Sequence, residues 1–203
     1  MTEIREKFDK KEIATLPVAQ FRGSIYVLLT EREAGKAVDY LLRQPVVGID
    51  TETRPSFRRG QYHKVALLQV STPDQCFLFR LCRMGVPPCV KRLMESPKVV
   101  KVGLSLKDDF LQLNRGSHMH PESYIELQDE VKQIGIEDMS LQKIFANLFG
   151  YKISKRQQLT NWEADVLTEA QQRYAATDAW ACLLIHHEIM KLKTNDDYVL
   201  IKD

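Results

Sequence analysis

Residues 46–52 read Val-Val-Gly-Ile-Asp-Thr-Glu. Pro45 breaks the helical pattern before them, so this run is expected to form a buried strand. Side chains alternate along a strand, which puts Asp50 and Glu52 on one face. Two neighbouring carboxylates on an otherwise apolar strand repel each other and lose hydration. A divalent cation resolves both problems, and ligands that are all oxygen favour a hard ion such as Mg²⁺ or Mn²⁺ over zinc. Taken alone, the same residues fit equally well a strand that ends at Asp50 and leaves two solvated acids.

The surrounding pattern is mixed α/β. Asp9 with Glu12 predicts a short helix near 10–15 that stops before Pro17. Residues 25–30 read as an edge strand, and Thr30 with Glu33 opens a helix whose apolar face is Ala34, Ala37, Val38, Leu41 and Leu42. Strands at 46–52, 65–71 and 76–81, joined by short loops, predict an antiparallel meander. A short helix at 88–96, a strand at 99–104 and a helix from about Asp108 follow. The stripe Leu141, Ile144, Phe145, Leu148 stops at Gly150, a natural helix terminator. Thr168 with Gln171 opens a long helix through Lys191, with Tyr174, Asp178, Ala181, Ile185 and Ile189 on one face. Strands followed by helices describe a sheet flanked by helices. No linker is visible, so residues 1–203 are expected to form one domain: a core of about 25–192, an N-terminal helical extension and a short C-terminal tail that could dock through Tyr198–Ile201.

Two further sets of acids matter. Tyr174 and Asp178 lie one helical turn apart on the inward face. An inward carboxylate needs a partner, which could be no more than Tyr174 itself. Asp108 and Asp109 follow the strand at 99–104 at a helix start, where acids also serve simply to complement the helix dipole. Together, acids from two strand ends and two helices could converge on a two-metal phosphoryl-transfer centre.

Three ordered segments carry a resemblance. Val47–Glu52, Lys101–Asp109 with Leu113, and Tyr174–Ala179 resemble the three motifs of the DEDD superfamily of 3′-5′ exonucleases in its tyrosine form, since position 173 is Arg rather than His. Asn161-Trp162-Glu163 and Lys64–Gln69 fit the same group, and the likeness is greater to the Werner-type exonuclease domains than to ribonuclease D. The resemblance spans about residues 46–190. It implies an RNase H-like fold with a mixed five-stranded sheet, and two Mg²⁺ or Mn²⁺ ions. Asp50, Glu52 and Asp178 would hold one ion, and Asp50 with Asp109 the other; Tyr174 would orient the attacking water. Asp109 rather than Asp108 matches the motif spacing from Gly103 and Lys107. Ser105 stands where glycine is frequent, and Trp180 where tyrosine is frequent.

The net charge of +2 does not by itself mark a nucleic-acid binder, so any such binding must come from local patches. Arg54, Phe57, Arg58, Arg59 and Lys64 directly follow the first motif; cations interleaved with an aromatic suit the phosphates and bases of a single strand. Trp162 joins them as a substrate contact, and Lys152, Lys155 and Arg156 form a second basic cluster. Substrate would be a single-stranded or 3′-ended nucleic acid, DNA in preference to RNA. The alternatives are an RNA 3′-end-processing enzyme and a catalytically silent binding module on the same fold, against which the intact set of acids argues. A charged N-terminal segment, no apolar run of membrane-spanning length and four cysteines without a Cys-x-x-Cys pair predict an intracellular protein, cytoplasmic if bacterial, without membrane attachment.

Overall fold

The computed structural model describes residues 1–58, 60–115 and 117–202, so Arg59 lies outside the described residues. Along the chain run β1 (Thr2–Arg5), α1 (Lys10–Ile13), β2 (Val18–Ala19), β3 (Ser24–Leu28), α2 (Glu31–Leu41) and β4 (Val46–Thr53). Then come β5 (Val65–Ser71), β6 (Gln75–Phe79), α3 (Leu81–Met84), α4 (Pro88–Met94), β7 (Val100–Gly103) and α5 (Leu106–Leu113). The last third holds β8 (Tyr124–Glu126), α6 (Leu127–Lys132), α7 (Leu141–Phe149), β9 (Lys152–Ile153), α8 (Glu169–Asn195) and β10 (Tyr198–Ile201).

Local chemistry sets the two principal helices. Thr30 accepts from the Glu33 amide, and Glu33 reaches back to the Thr30 amide at 3.0 Å, closing the capping box of α2. Thr168 and Gln171 do the same for α8, with amide contacts of 3.2 and 3.0 Å. Each reciprocal pair satisfies two orphan amides of a first turn. With 27 residues α8 is about 40 Å long, enough to cross β4, β5, β6 and β7.

The main sheet has the order β3-β6-β5-β4-β7-β8. The expected meander is present: β4 pairs antiparallel with β5, and β5 antiparallel with β6. β7 and β8 add in parallel on the other side of β4, and β3 adds in parallel to β6. The sheet therefore has six strands rather than five, because Tyr124–Glu126 adds an edge strand too short to show periodicity. One core, including Val38, Leu41, Val47, Ile49, Leu106 and Phe110, packs on the face of α2, α4 and α5. The opposite face is filled from α6, α7 and α8, through Val131, Phe145, Ile185 and Ile189.

Of the terminal segments, the tail docks as expected and the N-terminal one departs from expectation. The N-terminal extension starts with a strand, β1, which pairs in parallel with β10 and buries Ile4 completely. The tail residues Tyr198–Ile201 thus dock on the chain's own N-terminus. Among the described residues, no helix is long and apolar enough to cross a membrane.

Candidate active site

The joint between β4 and α8 depends on Gly48. It shares a strand face with Asp50 and Glu52, and a Cβ placed there would lie 2.0 Å from the Ala179 carbonyl oxygen. Only glycine lets the backbone of α8 rest directly on β4 at this point. Asp178, next to Ala179, is thereby brought to the two strand acids: one oxygen from each of Asp50, Glu52 and Asp178 lies within 4.8 Å of the other two. Gly103 acts similarly at the end of β7, where a Cβ would meet Leu106 and the Ile49 carbonyl.

α5 then presents Asp109. Its carboxylate accepts a 2.5 Å hydrogen bond from the Thr51 hydroxyl, on the strand residue between the two acids. Asp108, one residue earlier, is exposed, so the structure turns Asp109 and not Asp108 toward β4. The start of α5 is fixed from outside the motifs. Glu126, at the end of β8, accepts from the amides of Ser105 at 2.9 Å and Leu106 at 2.8 Å. Ser105 itself sits at φ +63°, the left-handed conformation that glycine adopts without strain.

The acids occupy a cavity of about 370 Å³ whose lining includes Asp50, Thr51, Glu52, Lys155, Tyr174 and Asp178. Burial pushes every carboxyl upward, and for Asp50, Glu52 and Asp109 neighbouring carboxylates add to it. Glu52 rises to about 9 through burial and the charges of Asp178 and Asp109. Asp50 rises well above the usual carboxylate range for the same reasons. Asp178 rises to about 7 through burial, moderated by the Tyr174 hydroxyl and the Lys155 ammonium. Asp109 reaches about 6 through burial, moderated by Thr51. One oxygen of Asp178 is buried without a hydrogen-bond partner. A set of oxygen ligands, crowded, desolvated and short of positive charge, fits a hard divalent cation.

Tyr174 is held protonated. Burial and the charges of Asp178 and Glu52 drive its phenol further above the ordinary value of 10, so it can donate a hydrogen bond but cannot serve as a base near neutral pH.

The expected substrate contacts fare differently. Trp162 is wholly buried, with its ring 6.0 Å from that of Tyr174, and among the described residues its indole N–H has no partner. The loop before α8 folds it into the core beside Tyr174, so it presents no surface to a strand in this conformation. Phe57 and Arg58 are exposed, but neither lines the acid cavity. Arg54 is engaged with Glu163 at 3.1 Å. Lys64 lines a different and larger cavity, of about 700 Å³. From the second basic cluster, Lys155 faces the acids, and with Lys152 and Arg156 it lines an adjoining cleft.

Sequence reasoning missed Thr51, Glu126 and the role of Lys155 toward Asp178. Thr51 carries a signal only in retrospect, as the residue between the two acids. Glu126 carries none, since it is one acid in a three-residue strand.

A six-stranded mixed sheet with carboxylates gathered where its central strand meets a long helix is the architecture of an RNase H-like exonuclease domain. The chain belongs to the 3′-5′ exonuclease family, whose model matches residues 26–193. It is 32% identical over 187 residues to the bifunctional 3′-5′ exonuclease/ATP-dependent helicase WRN of Mus musculus, across 87% of this chain and 13% of that protein. The chain thus spans about an eighth of that relative's length. Its fold is similar to the Nibbler EXO domain of Aedes aegypti, with a TM-score of 0.80 at 19% identity over 89% of this chain and 95% of that one. It is also similar to Escherichia coli RNase D, with a TM-score of 0.75 at 20% identity over 84% of this chain and 45% of that one.

Proposed function

We propose that the chain is a metal-dependent exonuclease that removes nucleoside 5′-monophosphates one at a time from the 3′ end of a nucleic acid. The observation that carries this reading is the meeting of Asp50, Glu52 and Asp178 within 4.8 Å, with Tyr174 and Lys155 in the same cavity.

Asp50, Glu52 and Asp178 would hold one divalent ion, and Asp50 with Asp109 a second; Mg²⁺ and Mn²⁺ both suit the donor set. Such ions supply a water activated near neutral pH and charge stabilisation for the leaving 3′ oxygen. The chain's own groups do the rest. Tyr174, protonated, would turn its one O–H from Asp178 to the attacking water and orient it. Thr51 holds Asp109 in place, and Glu126 holds the helix that carries it. Lys155 offers a cation to the phosphate on the side of Asp178. Water adds at phosphorus and gives up a proton to solvent, the bond to the 3′ oxygen breaks, and that oxygen takes a proton from solvent to leave as the 3′ hydroxyl of the shortened strand.

DNA is the favoured substrate, supported by a likeness to DNA polymerase I of Aquifex aeolicus, 29% over 143 residues, and by a likeness to the mouse exonuclease/helicase a little greater than that to a ribonuclease D, 32% against 29%. The second reading is RNA trimming, supported by the fold shared with RNase D, described as an exoribonuclease involved in structured RNA processing. Matched 5′-labelled DNA and RNA strands, incubated with Mg²⁺, Mn²⁺ or EDTA, test both. The expected result is a descending ladder with metal, stronger on DNA, and none in EDTA. Cleavage undiminished in EDTA overturns the mechanism, and a ladder on RNA alone overturns the substrate.

A further inference from the structure

A cavity of about 700 Å³, nearly twice the volume of the acid cavity, is separate from the acids and shares no lining residue with their cavity. It opens where β4 ends, between the β4–β5 loop, α3 and the C-terminal end of α5, whose lining residue Gln112 lies three residues, about 4.5 Å of helix rise, beyond Asp109. Its wall carries Lys64, Arg83 and Arg115, against one carboxylate, Glu163. That carboxylate is already engaged by Arg54 at 3.1 Å and His63 at 3.4 Å. Arg83 pairs with Asp165, which is almost fully exposed, so solvent weakens the pair and the guanidinium can exchange partners.

Two further observations say what would fit. Beside the cavity, Arg80 is only 1% exposed, yet among the described residues its guanidinium meets the Ala164 carbonyl and the Cys82 sulfur rather than a carboxylate, and its Nε has no partner. A buried cation without a counter-charge draws an anion to the nearest accessible space. At the mouth, the Arg115 guanidinium lies 5.9 Å above the ring of Tyr62, which is 80% exposed. Cations beside an open aromatic ring are the two elements that a single strand uses, phosphate against charge and base against ring.

We propose that this cavity is a second nucleic-acid subsite, holding one or two nucleotides of the substrate strand upstream of the bond being cut. The assignment rests on the exonuclease reading above. Lys64, Arg83 and Arg115 hold the phosphates and Tyr62 stacks a base, which lengthens the grip on a strand without touching the reacting atoms.

The test compares substrate lengths. Arg83→Ala with Arg115→Ala is made in the full chain, with Tyr62→Ala as a second variant and a thermal melt on each. The double variant is expected to raise KM for a 12-nucleotide strand about tenfold, with kcat unchanged and with KM for a dinucleotide within twofold of the unmodified protein. Its salt dependence of binding, measured by anisotropy in Ca²⁺, should flatten by about 1.4 in log–log slope. Tyr62→Ala should weaken 12-mer binding with the slope unchanged. Equal effects on both lengths, or none on either, overturn the subsite. If the unmodified chain cuts neither strand, the exonuclease reading fails, and the binding arm still decides: unchanged 12-mer affinity and slope in the double variant overturn the subsite independently.

Discussion

Replacing Asp178 by Asn separates a catalytic carboxylate from a structural one. The Asp178 carboxyl sits at about 7 against an ordinary 3.8, chiefly because of burial. At about 1.4 kcal/mol per pH unit, this withholds about 4 kcal/mol of folding free energy at neutral pH from the metal-free chain. Below the ordinary value, both folded and unfolded chains hold the proton and nothing is lost. Between 4 and 7 the unfolded chain releases a proton that the folded chain keeps, so stability falls as pH rises; above about 7 the loss is complete. Asn removes that charge and relieves Asp50 and Glu52, both of which Asp178 pushes up. It also leaves a buried amide imperfectly bonded, at a cost of about 1–3 kcal/mol. The net expectation in EDTA is a gain of about 1–2 kcal/mol at pH 8, or roughly 4 °C in Tm, shrinking to nothing at pH 5. Mg²⁺ should stabilise the unmodified chain more than the variant. Turnover should fall by about three orders of magnitude, the scale expected when one electrostatic support of the transition state is lost. Thermal melts at pH 5 and 8, with and without Mg²⁺, and a ladder assay on the same samples measure all of this. A variant that is less stable at pH 8 in EDTA refutes the charge argument, and one that cuts at the normal rate refutes the site.

Three other substitutions probe the scaffold around the acids. Gly48→Ala places a methyl 2.0 Å from the Ala179 carbonyl, backbone against backbone, and should cost about 3 kcal/mol or more; a denaturation midpoint within error of the unmodified chain contradicts the close approach. Thr51→Val removes the hydroxyl that holds the Asp109 carboxyl down, so that carboxyl should rise above about 6 and the Mg²⁺ needed for half-maximal activity should increase at pH 6.5 but much less at pH 8.5. A pH-independent change would exclude this route. Ser105→Gly relieves a φ of +63° and should stabilise by about 0.5–1 kcal/mol after the entropic cost of glycine, with kcat unchanged; a lower Tm would mean that Ser105 is not strained.

The parts of the fold written in local periodicity were legible from the chain. The meander of β4, β5 and β6, the capped starts of α2 and α8, and the inward face of α8 each follow from patterns within a few residues of one another. What escaped depends on partners far away in sequence. β1 and β10 pair across nearly the whole chain, and neither four-residue strand has a face that announces the other. β8 is three residues long, and its Glu126 also caps α6. Trp162 lies beside an acid in a polar segment, which suggests exposure. Its burial follows from where Tyr174 and α8 stand after folding, a relation that no short window contains.

The acid cavity also constrains how a polyanion can approach. Three carboxylates meet there, with Asp109 held nearby by Thr51, and Lys155 is the cation that moderates Asp178. A phosphodiester entering such a field is repelled unless positive charge is supplied first. Divalent ions at the acids can supply it at the scissile bond, but they do nothing for the rest of the strand. The cations that can act there lie away from the centre: Lys155 and Arg156 in the adjoining cleft, Lys64, Arg83 and Arg115 around the larger cavity. Under the proposed function a net charge of only +2 suffices, because the charge is divided by position, with acids where the bond would be cut and bases away from it. Metal affinity and strand affinity then respond to different residues. Changes among the acids should move the divalent-ion requirement with the salt dependence of binding intact, and changes among the outlying cations should do the reverse.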